Sequence, residues 1–83
     1  MDERELRSGI GALLQKIAPE VEAAALDPKA PLRDQVDLDS IDWLNFLVSL
    51  HERFQVDIPE SDYEKLRSLD DLAGYVAARI AKA

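Results

Sequence analysis

The stretch DLDSIDWLNFLVSLHERFQ, residues 37–55, sets the reading of the whole chain. Asp39 stands before an apolar run, where a carboxylate can accept the free backbone N–H groups of a helix start. Asp42, three residues on, adds negative charge where the helix dipole favours it. The pattern predicts a helix from Ser40 to about Gln55 with Ser40 as its first residue. At roughly 100° per residue its apolar positions separate into two stripes. Trp43, Phe46, Leu47, Leu50 and Phe54 form the larger. Ile41, Leu44 and Val48 form a second stripe close to Ser40, flanked by Glu52. A helix needs one such stripe to join a core. The second is either buried as well or an exposed contact surface.

Outward from this helix the chain reads as all-α. Leu6, Ile10, Leu13, Leu14 and Ile17 recur at helical spacing and predict a first helix from Glu3 to Ile17, weakened locally by Gly9 and Gly11 and stopped near Pro19. From Ala18 to Leu38 the periodicity fades and Pro19, Pro28 and Pro31 appear. This predicts a long ordered loop, with a helical turn in Glu20 to Ala25 and with Leu26, Leu32 and Val36 as anchors. A structureless loop of this length is uncommon in a small domain unless anchored or functional. After Pro59, the capping-box spacing of Ser61 and Glu64 predicts a short helix from Ser61 to Leu66. A last helix is expected from about Leu69 to Ala81, capped by Ser68, with Leu72, Ala73, Val76 and Ile80 on one face. The expectation is a four-helix bundle, three helices longer and one short, spanning residues 1–83 as a single domain.

Composition narrows the function. A chain of 83 residues and 9.3 kDa has little room for a spacious active site. It has no Cys, so the polypeptide itself offers neither disulfide nor thiolate nucleophile. The net charge is −7, and it is concentrated: Asp34 to Glu64 holds nine acids against the single base Arg53, while the remainder is nearly balanced. Nucleic-acid binding needs the opposite sign; basic protein partners fit better. The charged segment Met1 to Arg7 does not resemble a signal peptide, and no run approaches the roughly 20 apolar residues of a membrane span, so a cytoplasmic protein without membrane insertion is expected.

Ser40 is the candidate for chemistry. As a nucleophile in its own right it would need a base within hydrogen-bond reach, yet the only His, His51, lies eleven residues along the same helix, roughly 16 Å away. A calcium loop also fails. Asp37 and Asp39 match its first spacing, but its fifth, glycine and twelfth positions fall on Ile41, Asp42 and Val48. No metal site is expected.

Asp39-Ser40-Ile41-Asp42 resembles the attachment motif of acyl carrier proteins, Asp-Ser-Leu-Asp, with Ile for Leu. The resemblance continues through Phe54, Ile58-Pro59, Glu60-Ser61-Asp62, Glu64-Lys65-Leu66, Leu69 and Tyr75-Val76. Leu32 and Val36 match before the motif, so the similarity covers about Leu26 to Ile80. The resemblance implies a non-catalytic carrier. Ser40 would receive 4′-phosphopantetheine from coenzyme A through a separate Mg²⁺-dependent phosphopantetheinyl transferase, engaged by Asp39 and Asp42. Acyl groups would ride on the arm's thiol as thioesters, for fatty-acid, lipid or polyketide biosynthesis. It further implies a monomer whose Ile41, Leu44, Val48 and Glu52 meet basic docking surfaces of acyl-loading and acyl-transferring enzymes, and whose Phe46, Leu47, Leu50 and Phe54 line an acyl cavity; Trp43, which the resemblance does not supply, falls on the same side of the helix one turn past Ser40 and is expected to line that cavity near its mouth. This chain departs from the family at Asp37, where many members have Gly, and at Asn45, His51 and Arg53, often acidic in fatty-acid-synthesis carriers. A carrier dedicated to one lipid, polyketide or aminoacyl pathway is therefore equally open. Aminoacyl and peptidyl carriers usually have a Gly-Gly before the serine region, which is absent here. An unmodified helical adaptor, binding partners through Ile41, Leu44 and Val48, is the alternative from another class.

Overall fold

The structure, a computed structural model, describes residues 2–82 apart from the side chains of Ala23, Ala81 and Lys82; Met1 and Ala83, the limits of the expected 1–83 domain, lie outside the described residues. Four α-helices follow in order: α1 (Glu3–Ile17), α2 (Leu32–Gln35), α3 (Ser40–Phe54) and α4 (Leu69–Lys82). Two 3-10 segments, Ala23–Ala25 and Glu60–Lys65, interrupt the connections, and no strand occurs among the described residues. None of these helices is long and apolar enough to cross a membrane.

Each long helix begins with a side-chain cap. Asp2 Oδ1 accepts the Glu5 N–H at 2.8 Å, and Asp39 does the same for Asp42. Ser68 Oγ accepts the Asp71 N–H at 3.1 Å while Asp71 Oδ2 accepts the Ser68 N–H at 3.2 Å, so two free donors are satisfied reciprocally. Such a cap contributes about 1 kcal/mol. Helix α3 stops because Gln55 turns left-handed (φ 54°, ψ 46°), and the His51 ring then bonds the Val56 carbonyl at 2.7 Å. A carbonyl only accepts, so Nδ1 carries the proton.

The core draws on every long helix: Leu6, Ile10 and Leu14 from α1, Phe46, Leu47 and Leu50 from α3, Leu72 and Val76 from α4. Helix α1 packs on both α3 and α4. Gly9 lets α1 approach the end of α3, since a Cβ there would stand 3.0 Å from Phe54 Cζ.

The long loop is ordered, as its apolar anchors suggest: Leu32 and Val36 are buried and Leu26 packs against the core. It is less irregular than expected, because residues 32–35 form the single turn α2 and the turn expected in Glu20 to Ala25 narrows to the 3-10 segment Ala23–Ala25. Gln35 holds the preceding chain together. Its side chain accepts the Asp27 N–H at 2.7 Å and donates to the carbonyls of Asp27 and Ala30 at 2.9 and 3.0 Å. The loop is also stitched to the head of α4 by Leu32 N–H to Arg67 O at 2.8 Å and Asp70 N–H to Pro28 O at 2.9 Å.

The expected short helix over Ser61 to Leu66 needs correction. The segment is 3-10, starts at Glu60 directly after Pro59, and has no side-chain cap, so Ser61 and Glu64 do not form the anticipated box. Starting one residue earlier moves Ser61 off the cap position.

Candidate functional site

Ser40 is exposed on the first turn of α3. Its position follows from its neighbours: Val36 and Leu38 are buried and anchor the approach, and extended Asp39 (φ −80°, ψ 178°) turns the chain into the helix. Because Asp39 takes the capping role, the Ser40 hydroxyl is not needed for it. Exposed Asp39 and half-exposed Asp42 flank the serine. Free N–H groups and the positive end of the helix dipole converge here, which suits a phosphodiester on Ser40 Oγ.

The two stripes of α3 have opposite fates. Trp43, Phe46, Leu47, Leu50 and Phe54 are buried, whereas Ile41, Leu44 and Val48 are 69%, 45% and 46% exposed. These three are the exposed large hydrophobics among the described residues, and all lie on the helix that carries Ser40. Glu52, one turn beyond Val48, is exposed as well. His51 has an exposed side chain, but its ring is tied to the helix end by Val56.

Two open grooves run beside α3. The larger, about 550 Å³, lies among Leu47, Val48, His51, Ile58, Tyr63 and Arg79. The smaller, about 360 Å³, is bounded by Trp43, Tyr63, Leu66, Arg33, Arg67 and Asp34. Of the five residues expected to line a cavity, Leu47 and Trp43 border these grooves. Phe46, Leu50 and Phe54 are packed into the core, and a cargo reaching them must move side chains apart. The Trp43 and Phe46 rings meet at 5.4 Å, tilted by 42°.

A polar cluster fixes the wall opposite α3. Tyr75 donates its hydroxyl proton to Asp62 Oδ2 at 2.6 Å, and Arg79 bonds both the Tyr75 hydroxyl, at 2.6 Å, and Asp62, at 3.2 Å. The Tyr75 bond, aided by Lys65 and Arg79, holds the Asp62 carboxyl below the usual carboxylate range against the effect of burial. Burial first, and then the bond to Asp62, pushes the Tyr75 hydroxyl up. Asp62 and Tyr75 both fall within the family resemblance, but the contact between them has no local signal in the sequence, since 13 residues separate the pair. The same holds for Gln35, whose partner Asp27 lies eight residues away.

Taken together, the fold and the site define a class: an all-helical domain that presents one exposed serine between two carboxylates at a helix head, beside a solvent-facing apolar patch. The model of the family described as "Phosphopantetheine attachment site" matches residues 9–76. The acyl carrier protein of Thermobifida fusca is 28% identical over 74 residues, covering 89% of this chain and 92% of that one. That of Campylobacter concisus is 34% identical over 61 residues, covering 68% and 79%. A solved structure of the acyl carrier protein from Enterococcus faecalis shares the fold with a TM-score of 0.74 at 21% identity, covering 95% of this chain and 99% of that one. The chain belongs to the phosphopantetheine attachment-site family, whose prosthetic group is 4′-phosphopantetheine.

Proposed function

We propose that this chain carries acyl groups as thioesters on a 4′-phosphopantetheine arm joined to Ser40 Oγ, and passes them between enzymes of fatty-acid, lipid or polyketide biosynthesis. The observation that carries the reading is the exposed Ser40 at the head of α3, relieved of capping by Asp39. In the transfer from coenzyme A, Ser40 Oγ forms the new P–O bond, loses its proton and displaces adenosine 3′,5′-bisphosphate, under catalysis by a separate phosphopantetheinyl transferase. Asp39 and Asp42 engage that transferase. The group, once bound, supplies the thiol that a chain without Cys lacks.

The chain's own part is presentation. Ile41, Leu44 and Val48 offer an apolar contact, and Glu52 with the surrounding acids meets basic surfaces on loading and transferring enzymes. The chain works as a cytoplasmic monomer and performs no chemistry of its own.

Incubation with coenzyme A, Mg²⁺ and a broad-specificity transferase is expected to add one arm to the wild type and none to Ser40→Ala, read by intact-protein mass. A modified Ser40→Ala product overturns the assignment. A wild type that stays unmodified, both here and in its native host, leaves the unmodified adaptor as the reading.

A further inference from the structure

Helix α2 is a single turn, and its own ends give it little support. Pro31 at its head supplies no side-chain cap, and the turn is closed by the Val36 N–H on Leu32 O at 2.8 Å. One turn alone does not offset the cost of nucleating a helix, so its form is imposed from outside. On the core side the constraint is Leu32, which is fully buried. On the solvent side it is Gln35.

The Gln35 amide is used to its capacity. Oε1 accepts the Asp27 N–H at 2.7 Å, while Nε2 donates to the Asp27 and Ala30 carbonyls at 2.9 and 3.0 Å. These partners fix which way the amide faces, since an N–H only donates and a carbonyl only accepts. The residues so gathered, 27–31, also meet the head of α4, through Pro28 O and the pairing of Pro31 with Ser68. The Gln35 bonds are exposed, so water takes their place when they break and the fold loses little. What they add is the selection of one backbone path.

In the other direction Gln35 stands four residues before Asp39 and five before Ser40. Between them Val36 is extended (φ −127°, ψ 134°) and buried, and Leu38 is buried with its N–H on Val36 O at 2.9 Å. A link this short passes a tilt of α2 on to the head of α3 instead of absorbing it. We propose that Gln35 is a positioning residue for arm transfer at Ser40: its amide holds residues 27–31 on α2 and so fixes the link that sets the head of α3. This rests on attachment of the arm at Ser40. Gln35 acts through residues 36–39 and takes no part in the chemistry.

The test uses the full chain with Gln35→Met, which keeps the length of the side chain and removes its bonds, and Gln35→Glu, which keeps the acceptor for Asp27 but sets a negative charge against the carbonyls of Asp27 and Ala30. Gln15→Met is the comparison, because Gln15 bonds Val21 O at 3.0 Å and steadies the other end of the loop. Steady-state transfer from coenzyme A by a broad-specificity transferase is followed by intact mass. Amide exchange is measured at Asp42 and Trp43, whose N–H groups both bond Asp39. In both Gln35 variants kcat is expected to fall about tenfold with KM near the wild-type value. Exchange at Asp42 and Trp43 is expected to quicken while amides in the middle of α3 and in α4 stay protected, and Gln15→Met is expected to match the wild type throughout. A wild-type kcat, a rise in KM alone, or an equal loss in Gln15→Met overturns the proposal. So does a lower urea midpoint with protection lost throughout α3 and α4, since Gln35 is then an ordinary part of the fold. A wild type that takes no arm refutes the attachment reading and this proposal with it, whereas unchanged exchange at Asp42 in a chain that accepts the arm refutes this proposal alone.

Discussion

Leu44 stands on the same helix as Leu47 and Leu50, yet it is 45% exposed while they are buried. Its apolar surface therefore adds little to folding, and a charge placed there keeps its water. Leu44→Arg is expected to change stability by no more than about 0.5 kcal/mol, as at other surface positions. Transfer of the arm and of acyl groups by partner enzymes is expected to drop severalfold, because the substitution puts a positive charge on the surface proposed to meet basic partners. Denaturation midpoints and single-turnover loading rates check the two halves. A loss of several kcal/mol would mean that the residue is part of the core.

Helices with long apolar periodicity are legible in the sequence to within a residue or two, and so are their caps. Asp39 and Ser68 each sit where a side-chain acceptor meets the start of such a pattern. Helix α2 is not legible, because four residues cannot display a 3.6-residue period, and it is held by Leu32 in the core and by contacts from elsewhere in the chain. After Pro59 the local capping signal points to a helix but does not fix where the segment begins. At the site, the exposed serine and the separation into two stripes follow from local spacing. Which stripe faces solvent does not, since that depends on how α1 and α4 approach α3. Gly9 and Gly74 make the same distinction between local and tertiary effects measurable. Gly74 on α4 is exposed, with nothing within 4 Å of where a Cβ would stand, so Gly74→Ala is expected to stabilise by about 0.5–1 kcal/mol. Gly9→Ala gains the same helix propensity but must displace the Phe54 ring, and is expected to fall below Gly74→Ala by about 1 kcal/mol or more in urea unfolding. Equal gains would show that Phe54 yields freely.

The molecule measures 33 × 26 × 21 Å, small enough that one polar cluster influences the pH range of the whole fold. Asp62 titrates below its unfolded value of about 4. Its contribution is therefore present above pH about 4 and lost as pH falls through the lower folded value. Tyr75 is raised above its unfolded value of about 10, so its contribution is present below that pH and lost as pH rises through the folded value. Tyr75→Phe is expected to make the acid-side decline of the urea midpoint shallower, to remove the tyrosine-linked alkaline loss, and to return the Asp62 carboxyl towards the ordinary range. Carbon-detected NMR titration of Asp62 checks the last point; an unchanged titration would show that the Tyr75 bond does not form in solution.

The bonds from Leu32 to Arg67 and from Asp70 to Pro28 close the chain between residues 28 and 70 into a noncovalent ring. Helix α3, with Ser40 at its head, lies inside that ring. Local opening in proteins proceeds through contiguous units that separate together, and a segment clasped at both ends cannot fray from a free end. The serine is thus open to solvent on a helix whose preceding loop is clasped to the α4 head. Opening of the loop that leads to Ser40 is thereby coupled to opening at the head of α4.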